Sequence, residues 1–140
     1  MKPVNERWDS FSQNPDNTAH VQKRLMNALD KLDTLLDGSL VIHCIYDEDR
    51  DANNFHRLGL ACDCHINGWH PLDMFFFVER QYLFTGTGIY GPDVWNNPGL
   101  HIDLRDRPGR WAYKRKDGDD GRLMVALDKR YVSYLLNLLP

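Results

Sequence analysis

His56, Asp63, His101 and Asp103 are the residues of this chain whose types and spacing could do chemistry. Imidazole nitrogens and carboxylate oxygens both bind zinc at about 2.0–2.2 Å, and two histidines plus one carboxylate from different elements leave a coordination position open. An open position marks a catalytic rather than a closed structural site. Asp103 follows His101 by two residues, so on a strand both side chains point the same way. Two roles follow for Asp103: general base toward the open position, or a partner that orients His101 or pairs with Arg105. Cys62-Asp63-Cys64-His65 offers a rival ligand cluster, because thiolates favour zinc. On a strand, however, Cys62 and Cys64 turn away from Asp63 and read as buried free cysteines beside Leu60 and Ile66. His43, His65 and His70 could support ligands or form a polar rim, while Trp69, Trp95 and Tyr90 could line a cleft.

Positioning these groups requires strands. Leu58 to Ile66 alternates, with Leu58, Leu60, Cys62, Cys64 and Ile66 on one face and Gly59, Ala61, Asp63 and His65 on the other. The small Gly59 and Ala61 would leave room for a substrate beside Asp63. Leu100 to Arg105 alternates as well, placing His101, Asp103 and Arg105 opposite Leu100, Ile102 and Leu104. Ser39 to Tyr46 reads as a further strand, and His56 falls in the polar loop that follows it. Gly86, Gly88 and Gly91 surround a short strand at Ile89-Tyr90. Arg110–Lys114 and Arg122–Leu127 form a hairpin around Asp117-Gly118. Helices are predicted after a cap at Asn17 or Thr18, from Pro71 to about Tyr82, and from about Asp128 to Leu139. The Met74–Val78 run predicts burial on most sides of the middle helix. Helices around a small antiparallel sheet make an α+β domain.

The segment His56-Arg57-Leu58-Gly59-Leu60-Ala61-Cys62-Asp63 resembles the His-x-x-Gly-x-Ala-x-Asp signature of the zinc D-alanyl-D-alanine carboxypeptidase family. That family shares its fold with hedgehog signalling domains and several phage endolysins. Gly88-Ile89-Tyr90, the strand around His101-Ile102-Asp103 and the later Arg110-Trp111 resemble further family elements in the same order. The resemblance spans roughly residues 40–111. It implies a hedgehog/DD-peptidase-like fold and a zinc ion on His56, Asp63 and His101. It also implies a peptidase acting on peptidoglycan peptides, phage or prophage encoded. Three positions depart from the pattern. Asn54 stands where the family has serine, Pro98 where many members carry the acidic general base, and the upstream arginine that holds a substrate carboxylate has no counterpart in Val41–Tyr46. Asp103 is the nearest candidate base. Arg50, Arg105 and Arg110 are candidate carboxylate holders, with Tyr90 and Asn54 as further substrate contacts. The departures support a second reading, a metal-containing binding or phage structural module that has lost turnover.

Composition bounds these readings. The 140 residues suit one domain, with residues 39–115 as its metal-site core and a polar segment over 1–16. A net charge of -3 with mixed signs argues against a general nucleic-acid binder, since the basic run Lys114–Lys116 is answered by Asp117, Asp119 and Asp120. No apolar run approaches the ~20 residues of a membrane span. The polar start lacks a secretory signal, so the expectation is a protein made in the cytoplasm, reaching a wall only by phage-type release. Three cysteines without an export signal make a disulfide framework unexpected.

Overall fold

The computed structural model describes residues 20–116 and 121–138, which form an α+β fold with three helices and one six-stranded sheet. The proposed cap residues Asn17 and Thr18 and the turn at Asp117-Gly118 lie outside the described residues. Helix α1 spans Lys23–Leu35, and its stripe of Leu25, Ala28, Leu29 and Leu32 is buried. It stops where Asp37 and Gly38 take left-handed backbone angles, a conformation that favours glycine. The buried Asp33 accepts the backbone N–H of Leu40, fastening the helix end to strand β1 (Leu40–Cys44).

Strand β2 covers Ala61–Ile66, three residues shorter than the alternation predicts. The lost residues turn at Gly59, whose φ is 71°. Gly59 does not make room for a substrate as expected. A Cβ there would collide with the backbone carbonyl of His20, so its smallness serves chain packing. Helix α2 (Pro71–Glu79) starts with Pro71 in its first turn and with His70 as cap, whose Nδ1 accepts the Leu72 N–H at 3.0 Å. Met74, Phe75 and Val78 are buried, but Phe76 is exposed, so this helix is covered on one side rather than most. Strands β3 (Gly86–Tyr90), β4 (Gly99–Asp103), β5 (Gly109–Arg115) and β6 (Arg122–Val125) follow. Helix α3 (Lys129–Leu138) starts behind Asp128, whose carboxylate accepts the N–H groups of Arg130 and Tyr131.

The strand order is β1-β2-β4-β3-β5-β6. The expected antiparallel sheet is instead mixed, because β3 and β5 pair in parallel. The chain reverses at each step from β3 to β4 to β5, and β5 then pairs on the far side of β3 rather than beside β4. Ile42, Cys64, Leu100, Ile89 and Ala112 follow one another across the sheet and enter the core with Leu25, Leu29, Leu32, Met74 and Leu135. Free of disulfides, Cys62 and Cys64 are fully buried in this core, as the alternation predicts. No helix among the described residues is long and apolar enough to cross a membrane.

Candidate metal centre

The opposite face of the sheet carries one continuous cross-strand row. Cys44 pairs with Asp63, Asp63 with His101, His101 with Gly88, and Gly88 with Trp111. Directly paired residues share a face. A bulge in β1 sets the first member: between Ile42 and Cys44 the register shifts, with His43 as the additional residue. Strict alternation from Leu40 and Ile42 would turn Cys44 into the core; the bulge turns it beside Asp63.

His56 reaches this row from the loop before β2. Its backbone N–H donates to the Asn54 side chain at 2.9 Å, while Leu58 N and Leu60 N donate to the carbonyls of Asn54 and Phe55. Asn54 therefore shapes the turn that delivers His56. The imidazole Nε2 lies 3.4 Å from Asp63 Oδ2, and His101 Nδ1 lies 3.2 Å from Asp63 Oδ1. Both separations exceed the ~2.7–2.9 Å of a charge-assisted hydrogen bond. The two contacts use different oxygens of Asp63, so the carboxylate is shared between the two imidazoles. The two imidazole centroids are 5.1 Å apart and nearly perpendicular. The expected ligands His56, Asp63 and His101 are thus brought together.

Cys44 is the residue that sequence reasoning missed. Its Sγ lies 3.5 Å from His56 Nδ1, and donor atoms of Cys44, His56 and Asp63 all fall within 4.8 Å of one another. This group could hold a metal ion. His101 adds a second imidazole beside this group, against the other oxygen of Asp63. A single imidazole cannot turn both ring nitrogens to one ion. With Nε2 facing Asp63, Nδ1 is left for Cys44.

Electrostatics tie the centre together. Burial alone would push His56 down, but the Asp63 carboxylate and Cys44 outweigh it and hold its pKa at about 9. Burial would likewise raise Asp63, yet hydrogen bonds and charge from His101 and His56 pull it well below the usual carboxylate range. His101 is raised despite burial, through Asp103 and Asp63.

Asp103 stands at the other end of the His101 ring. Its Oδ2 accepts from His101 Nε2 at 2.8 Å and from Arg105 Nη2 at 2.6 Å, and its Oδ1 accepts from Arg105 Nε at 2.9 Å. The carboxylate is fully buried, and although burial opposes it, Arg105 and His101 hold its pKa at about 2. An acid so placed orients His101. The imidazole separates it from the point where His56, Asp63 and His101 converge, so it is not positioned as the base there. Arg105 is equally committed, pairing with Asp103 while its guanidinium lies between the rings of Trp111 and Phe55. It is not free to hold a substrate carboxylate. Arg110 is on the helix-covered face, paired with Glu79 at 2.6 Å. Arg50 sits in the exposed loop after β1, paired with Asp47 at 2.8 Å, and the charges of Asp63 and Cys44 reach it. Tyr90 is buried and stacked on Tyr113 at 4.7 Å, with Trp95 against its edge. His43 and His65 contact each other at 2.6 Å, and Trp95 packs edge-on against both. Together they form an aromatic wall beside the metal row.

No family model, no curated protein and no solved structure matches this chain.

Proposed function

We propose that this chain is a zinc-dependent peptidase that hydrolyses peptide bonds of bacterial peptidoglycan, of the D-alanyl-D-alanine carboxypeptidase or endopeptidase type. The observation that carries the reading is that His56 Nε2 and His101 Nδ1 both meet the Asp63 carboxylate, in a cluster where Cys44, His56 and Asp63 lie close enough to hold a metal ion. Two histidines and one carboxylate form a borderline-soft donor set that suits zinc and leaves a position open. The resemblance of the segment from His56 to Asp63 to the carboxypeptidase signature supports the same reading. Zinc bound there supplies Lewis acidity toward a peptide carbonyl and activates water at neutral pH. The chain's own residues do the rest. Asp103 and Arg105 fix the ring of His101 so that Nδ1 faces inward. Asn54 fixes the backbone of His56. Arg50, alone among the three arginines considered, is both near the site and solvent-facing, and is the residue to meet a substrate carboxylate. Tyr90 and Trp95 pack together beside the row.

The withdrawal of Asp103 from the open position favours one alternative, a metal-holding module without turnover. One experiment separates them. Zinc-loaded protein is incubated with purified muropeptides from several wall types, and products are followed by mass spectrometry. The peptidase reading expects cleavage that a chelator abolishes and added zinc restores. Stoichiometric zinc with every muropeptide intact would leave the binding module.

A further inference from the structure

We propose that Cys44 is a positioning residue that fixes the His56 ring for metal binding, an inference that rests on the metal centre of the reading above. For the lone pair of His56 Nε2 to face an ion shared with Asp63, the ring proton must sit on Nδ1. That N–H is buried, and a buried donor needs an acceptor. The acceptor in reach is Cys44 Sγ, at 3.5 Å. His101 shows the same arrangement with its ring turned the other way. Nδ1 faces Asp63, and Nε2 donates outward to the Asp103 carboxylate at 2.8 Å. Each imidazole therefore presents one nitrogen inward and is held from behind by a different chemistry, thiol sulfur for one and carboxylate for the other. The β1 bulge exists at the position that makes this contact available. In unbroken register His43, not Cys44, would stand opposite Asp63. Outer partners of metal-binding histidines fix the tautomer and ring orientation, and losing one typically costs about 10–100-fold in metal affinity.

The test compares wild type, Cys44→Ser and Cys44→Ala by zinc competition against a chromophoric chelator and by the absorption spectrum of the cobalt(II)-loaded proteins. The expected result is a ~10–100-fold loss of zinc affinity in Cys44→Ala and substantial recovery in Cys44→Ser, whose hydroxyl can accept from Nδ1. The wild-type cobalt spectrum should lack a sulfur-to-metal charge-transfer band. Should Cys44→Ala fail to fold by circular dichroism, Cys44→Val fills the space without an acceptor and gives the same comparison. Equal affinity in wild type and the acceptor-free variant overturns the positioning role alone. A charge-transfer band in wild type overturns it too, by making Cys44 a ligand. Failure of wild type to take up any metal overturns the zinc reading itself and this inference with it.

Discussion

The indole of Trp111 lies over Gly88, so close that a Cβ on Gly88 would fall well inside van der Waals contact of the ring. His101 flanks Gly88 on its other side, with its ring centroid 5.4 Å from that of Trp111. The absent side chain is what lets an aromatic lean toward a metal ligand. Gly88→Ala is therefore expected to push Trp111 outward and destabilise the fold by about 1–3 kcal/mol, as overpacking does. Urea unfolding of the metal-free protein measures it, and an unchanged midpoint would mean that the indole moves without cost.

Zinc should bind at about one equivalent and stabilise the fold, because a ligand that binds only the folded state adds about 2.7 kcal/mol at a hundredfold excess over Kd. His56→Ala, Asp63→Asn and His101→Ala should each abolish both stoichiometric zinc in elemental analysis and the zinc-induced rise in Tm. Retention of full zinc in His56→Ala would move the site elsewhere.

The metal-free protein should weaken toward alkaline pH. His56 is held at about 9 against an ordinary 6.5, so its contribution is complete below pH 6.5 and lost as pH rises through 9. Protons compete with metal for the same nitrogen, so the zinc-induced gain in Tm should grow across that window. Thermal scans in chelator and in zinc at several pH values test both trends; a flat metal-free profile would contradict the first.

Asp103→Asn should cost zinc affinity, because the amide cannot match the carboxylate in holding His101 Nε2 and Arg105 together. A loss of about 10–100-fold is expected from chelator competition. Zinc retained in full while muropeptide cleavage disappears would instead return Asp103 to a proton-transfer role.

Replacing Cys62 and Cys64 together by Ala should leave zinc content unchanged and lower Tm, since both side chains are fully buried among apolar neighbours. Loss of metal in that double variant would revive the thiolate site.

The two alternating segments made Asp63, His101 and Asp103 legible, because a period of two states which residues share a face without reference to the rest of the chain. The core-facing Cys62 and Cys64 followed from the same pattern. What alternation could not supply was anything set by pairing between distant strands. The register opposite Asp63 depends on a bulge one strand away, which hid Cys44. The parallel pairing of β3 with β5 depends on which side of β3 the chain returns to. The committed state of Arg105 was hidden for another reason, since Phe55 and Trp111, the rings it lies against, come from two separate segments, the loop before β2 and strand β5.

Among the described residues the bulge also lies on an outer strand, with β2 as its one neighbour in the sheet. An uninterrupted outer strand is a template for intermolecular pairing. An irregularity at His43 breaks the spacing that such pairing needs. Deleting His43 would give a straighter edge, and the expected consequence is self-association visible by light scattering at rising concentration. The distortion that turns a thiol toward an imidazole thus also guards the molecule against adding strands to its own sheet.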